Sequence, residues 1–122
     1  MKALVVDDSR ATRAILRRLL GELGYEVAEA GDGVEALGVL RGADKFDLAL
    51  FDWNMPVMNG YDLLTTVRAD QSYGDMKIVM VTTETEARQM NDALDAGANE
   101  YVMKPFTKDV ISDKLALLGL AA

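Results

Sequence analysis

Residues 48–60 read "LALFDWNMPVMNG". Leu48, Ala49, Leu50 and Phe51 form an unbroken apolar run that ends on a carboxylate, Asp52. A run that does not alternate fits a strand covered on both faces. Trp53, Asn54, Pro56 and Gly60 follow, and this loop chemistry cannot prolong a strand. The stretch therefore predicts a buried strand, an acid at its carboxyl end, and a turn into whatever comes next.

Runs of the same length lie on either side: "ALVVD" at 3–7, "EVAEA" at 26–30, "KIVMVT" at 77–82 and "EYVM" at 100–103, with the central one read as "DLALFD" at 47–52. Helix-type spacing fills the gaps. In "SRATRAILRRLLGELG" it aligns Ile15, Leu16, Leu19, Leu20 and Leu23, with Gly24 at a C-terminal cap. "GVEALGVLRG" offers Val34, Leu37 and Leu40, and "YDLLTTVRAD" offers Leu63, Leu64 and Val67. "TETEARQMNDALDAG" opens with a capping box, Thr83 to Glu86, and sets Ala87, Met90, Leu94 and Gly97 on one face. "TKDVISDKLALLGL" aligns Val110, Ile111, Leu115 and Leu118. This βα rhythm, repeated five times, predicts an α/β fold: a doubly wound, five-stranded parallel sheet with right-handed crossovers. Five units are too few for an eightfold barrel. The 122 residues suit one domain over 1–122, with no output domain.

Composition narrows the chemistry. The chain has no cysteine and no histidine, which removes disulfides, thiolate metal sites and histidine-based catalysis. A net charge of −7 disfavours nucleic acid and anionic lipid as partners. No apolar stretch approaches the ~20 residues of a membrane span, and no signal-peptide pattern opens the chain. A cytoplasmic location is expected.

In a doubly wound sheet, ligands bind beyond the carboxyl ends of the strands. Those ends carry Asp7-Asp8, Asp52, Thr82-Thr83 and Lys104-Pro105. Taken singly, each has a plainer reading: an acid pair as a turn and cap, a Thr pair as a helix start, Lys-Pro as a surface turn, Trp53 and Tyr101 as packing. Their joint position at the ends of one strand series is what points to chemistry. Two carboxylates ~5 Å apart repel by about 3 kcal/mol at an effective dielectric of ~20. A cation relieves that, and oxygen-only ligands select a hard ion such as Mg²⁺. A Mg²⁺ and a lysine flanking a carboxylate suit phosphoryl transfer, with Asp52 as nucleophile.

The runs "LVVDDS", "FDWNMPVMNG", "VMVTTE" and "GANEYVMKPFT" together resemble the receiver domain of two-component response regulators, and most nearly the single-domain chemotaxis type, over essentially the whole chain. That resemblance implies a flavodoxin-like receiver fold and a role for each matching position. Asp52 is the phosphoacceptor. Asp8 binds Mg²⁺ directly, Asp7 through metal-bound water, and Asn54 through its backbone carbonyl. Lys104 pairs with the phosphoryl group, its bond to Pro105 being cis, and Thr82 donates its hydroxyl. Tyr101 changes rotamer with Thr82 and reshapes the face made by the fourth helix, fifth strand and fifth helix. The implied protein is a monomeric signalling switch, not an enzyme beyond its own phosphorylation and dephosphorylation. Its implied partners are a histidine kinase as phosphodonor, a phosphatase, and a protein target: a flagellar motor component in chemotaxis, or a phosphotransferase in a phosphorelay. Thr83 departs from the smaller residue frequent in the chemotaxis type, while Glu84 and Asn54 flank the site as that type does.

Other classes remain to be weighed. A phosphatase of the haloacid dehalogenase type also uses an aspartyl phosphate, but it wants an acid two positions after the nucleophile, where this chain has Asn54. A flavin carrier of the same topology needs a phosphate cradle after its first strand, where this chain has Asp7-Asp8-Ser9-Arg10. A phosphorylation-independent interaction module needs none of the site side chains.

Overall fold

The structure, a computed structural model, describes residues 1–42, 44–83 and 89–120. Along the chain come β1 (Lys2–Val6), α1 (Arg10–Glu22), β2 (Glu26–Ala30), α2 (Gly33–Leu40), β3 (Leu48–Asp52) and α3 (Gly60–Arg68). A 3₁₀ turn (Gln71–Tyr73), β4 (Lys77–Thr82), α4 (Met90–Asp95), β5 (Glu100–Met103) and α5 (Lys108–Leu117) complete it. All strand pairs are parallel, in the order β2-β1-β3-β4-β5. The order reverses between β1 and β3, so their carboxyl ends flank the crevice where such sheets bind ligands.

Local chemistry explains where the helices begin. Ser9, Asp32, Asn59 and Thr107 each accept a hydrogen bond from the backbone N–H three residues on, opening α1, α2, α3 and α5. Gly24 follows α1 at φ +96°, the left-handed conformation that ends helices cheaply on glycine. The sheet separates two apolar layers. Leu16 and Leu20 of α1 pack with Ile111 and Leu115 of α5 against Val5, Leu50, Val79 and Val102. On the other face α2, α3 and α4 pack onto Leu4, Phe51, Ile78 and Met80. Every residue of β3 is buried, as its unbroken apolar run predicts.

The strands fall within one residue of their sequence reading; β1 starts and ends one residue early, so Asp7 lies just past its end. Four helix-face assignments need correction. Ile15 and Val34 are 45% and 57% exposed, and Leu94 and Val110 are also exposed. Each stands at the margin of a stripe whose centre is held by a neighbour: Leu16, Ala36, Ala93 or Ile111. In α2 the buried row is Gly33, Ala36 and Leu40, and Gly33 packs closely beneath Met58, where a Cβ would lie 2.7 Å from the sulfur, so this inward position takes a residue without a side chain. The capping box from Thr83 to Glu86, together with Ala87, rests on residues 84–88, which lie outside the described residues. Among the described residues, no helix is long and apolar enough to cross a membrane.

Candidate functional site

Asp7, Asp8 and Asp52 reach this edge from the ends of β1 and β3. One carboxylate oxygen from each lies within 4.8 Å of the other two. Asp7 and Asp52 are buried and Asp8 is exposed, so the cluster has a floor and an open mouth. Lys104 arrives just past β5 and places Nζ 3.2 Å from Asp7 Oδ2 and 3.2 Å from Asp52 Oδ1. The bond from Lys104 to Pro105 is cis.

Each wall of this crevice has a local cause. The Ser9 N–H donates to Asp7 Oδ1 at 2.8 Å, and this turn directs Asp7's other oxygen towards Lys104. Arg13, from α1, donates through Nη1 to the Asp7 carbonyl at 2.6 Å and through Nε to Glu29 at 3.3 Å, bracing the β1–α1 turn. Spacing does not single out Arg13: it is one of four arginines on α1, and nothing in the sequence marks which of them folds back onto the preceding turn. Past Asp52, the Trp53 carbonyl accepts from the Gly60 N–H at 2.9 Å, closing the loop onto the strand. A Cβ at Gly60 would lie 2.2 Å from the Asp52 carbonyl oxygen, so the sharp return needs glycine. Trp53 is buried against Tyr61, ring centroids 5.6 Å apart.

The electrostatics are unbalanced. Burial first, then the Asp7 charge, raises the Asp52 pKa to about 6; Lys104 pulls it back and Asp8 pushes it up a little more. Burial opposes the charge on Lys104, but Asp52 and Asp7 outweigh it and the lysine pKa is raised. Three carboxylates against one ammonium leave an excess of negative charge in a half-buried crevice. The donor set is oxygen only, and a hard divalent cation fits it in both charge and chemistry.

The other sequence candidates are placed less tightly. Thr82 closes β4 one register beyond Val81, the partner of Asp52, and is fully buried. Its hydroxyl donates to the Thr83 carbonyl at 2.7 Å. Asn54 stands exposed in the β3–α3 loop, two residues past Asp52. Tyr101 is not part of the carboxylate cluster: it lies on β5, an edge strand, in register with Met80 of β4, and is half-buried. Glu84 lies outside the described residues.

Comparison with known proteins agrees with this architecture. Residues 3–116 match the response regulator receiver domain. The chain is 47% identical over 116 residues to a chemotaxis protein CheY homolog of Campylobacter jejuni, covering 94% of this chain and 89% of that one. It is 46% identical to chemotaxis protein CheY of Pseudomonas aeruginosa, over 94% of this chain and 93% of the relative. Among solved structures, chemotaxis response regulator CheY4 of Vibrio cholerae superposes with a TM-score of 0.88 at 36% identity, covering 96% of this chain and 97% of that chain.

Proposed function

Because the chain belongs to the response regulator receiver domain family, we propose that it is a switch thrown by phosphorylation of Asp52. The observation that carries the reading is the convergence of Asp7, Asp8, Asp52 and Lys104 at the point where the strand order reverses.

Asp8, Asp7 and the Asn54 carbonyl are the proposed holders of Mg²⁺, together with Asp52. When bound, that ion would supply positive charge that neutralises phosphoryl oxygens and lowers the raised pKa of Asp52, so that its carboxylate stays ionised and nucleophilic. A carboxylate oxygen of Asp52 attacks the phosphorus of a phosphohistidine on a kinase. An O–P bond forms, the N–P bond breaks, and its electron pair returns to the imidazole. Lys104 holds charge on the transferred group throughout.

The acyl phosphate then offers oxygens that bare Asp52 lacks. Thr82 gives up its bond to the Thr83 carbonyl and donates to one of them, and Tyr101 follows. Moving a two-state equilibrium from mostly off to mostly on takes ~5.5 kcal/mol of differential interaction. Charge-assisted hydrogen bonds at ~1.5–3 kcal/mol each supply part of it, and a docked target supplies the rest. The chemotaxis names of the relatives favour a flagellar motor component as that target.

Trp53 makes the test cheap. Adding Mg²⁺ and then acetyl phosphate should change its fluorescence in two steps, with a mass gain of one phosphoryl group. Asp52→Asn should show neither the second step nor the mass gain. Phosphorylation of that variant at the wild-type rate would sink the assignment.

A further inference from the structure

β5 is one of the two edges of the sheet, opposite β2. The Lys104 N–H donates to the Thr82 carbonyl at 2.6 Å, and parallel ladders use alternate residues, so the Tyr101 N–H points away from β4. An outward N–H on an edge strand invites pairing with another chain. Here it is covered: it donates to Oε1 of the neighbouring Glu100 at 3.0 Å. The same oxygen lies 3.2 Å from Lys114 Nζ, which comes from α5. That ammonium sits 5.0 Å from the centroid of the Tyr101 ring. Glu100 registers with Val79, on the α1/α5 side, whereas Tyr101 packs with the α2/α3/α4 layer. Lys114 therefore reaches round the sheet margin. One cation and one carboxylate grip both the amide and the ring of a single tyrosine, and all of this occurs while the Thr82 hydroxyl is turned to the Thr83 carbonyl.

We propose that Glu100 and Lys114 are positioning residues that latch Tyr101 in its resting place and so set how readily the switch turns on. The proposal rests on the reading of Tyr101 as the reporter of Asp52. By linkage, a contact present only in the resting arrangement lowers affinity for anything that stabilises the active one. Releasing it must raise that affinity. A cation over a ring and a partly exposed ion pair are each modest, so the effect is about threefold to tenfold.

The experiment is a beryllofluoride titration in saturating Mg²⁺, read by Trp53 fluorescence. Lys114→Ala and Glu100→Gln should bind about threefold to tenfold more tightly than wild type, while Lys114→Arg, which keeps both contacts, should match wild type. A loss of surface charge alone would act on any background, so the titration is repeated with Tyr101→Ala, where Lys114→Ala should change nothing. Unchanged or weaker binding by both single variants would overturn the latch, as would an equal gain in the Tyr101→Ala background. Phosphoryl transfer from acetyl phosphate to Asp52, followed by mass, is the separate control. Its absence in wild type would remove the switch reading and the latch with it, whereas its presence with no gain in the variants removes the latch alone.

Discussion

Asp52 sits under two opposed demands: burial and Asp7 favour its neutral form, and Lys104 favours its charge. The first pair wins, and its pKa stands at about 6 against an ordinary 3.8. An acid raised in this way stabilises the fold fully below its unfolded pKa and loses that contribution as pH rises through about 6. Asp52→Asn has no such dependence. Without divalent cations, its stability advantage over wild type should therefore grow by about 2–3 kcal/mol between pH 4 and pH 7, measured by urea denaturation at each pH. Saturating Mg²⁺ should close that gap, because the ion restores the charge balance for wild type and gains less from the amide. A gap that is flat with pH would mean that Asp52 is ionised throughout. The sequence made the acids and the lysine visible, because strand ends in a βα series must meet at one edge. It did not reveal which acid would be hardest to ionise, since that depends on depth below the surface. Nor did it disclose Arg13, Glu100 and Lys114, whose roles arise from contacts across the fold rather than from spacing.

The β3–α3 loop is tightly constrained. Val57 adopts φ 70°, an outlier for a β-branched residue, and the Met58 N–H donates to the Pro56 carbonyl at 2.7 Å to close a three-residue turn around it. Its side chain is 86% exposed, so no packing offsets the conformation. Val57→Gly, which has no Cβ to strain at that φ, should stabilise the fold by up to about 1 kcal/mol in thermal unfolding, with Mg²⁺ binding intact. Gly60→Ala should do the reverse. Its new methyl meets the Asp52 carbonyl, so a loss of at least about 2 kcal/mol is expected, with weakened Mg²⁺ affinity because the acid's own backbone must shift. Helix existence was legible from apolar spacing; helix facing was less so. In α2 the buried row is Gly33, Ala36 and Leu40; Leu40 was legible, but Gly33 and Ala36 are small residues that hydropathy undervalues, and Gly33 lies close beneath Met58.

The whole assembly is pinned at the end opposite the acids by Arg68. Its guanidinium, half-buried, donates to the carbonyls of Gly97 (2.9 Å), Tyr73 (2.8 Å) and Met76 (2.8 Å) and to Asn99 Oδ1 (2.8 Å). Asn99 Oδ1 in turn accepts from the Ile78 N–H at 2.8 Å, so one arginine ties α3, the 3₁₀ turn, β4 and the α4–β5 connection together. Burial lowers its pKa, yet it stays charged at any ordinary pH. Arg68→Met should cost about 2–4 kcal/mol in urea denaturation by stranding several carbonyls, while Mg²⁺ affinity at the far edge stays as in wild type. A matching loss of Mg²⁺ affinity would show that the two ends of the sheet are not independent. Topology was readable because alternation of strand and helix leaves few arrangements; this tie was not, because nothing near Arg68 in sequence marks carbonyls gathered from thirty residues away.

β3 is flanked by β1 and β4, each running parallel and in register with it, so the main chain bearing Asp52 has nowhere to go. Two strand spacings, or about 10 Å, separate it from β5, the edge strand that carries Tyr101. On the proposed switch reading, sender and reader meet the molecule at separate addresses, so a bound listener leaves the crevice open for the next message.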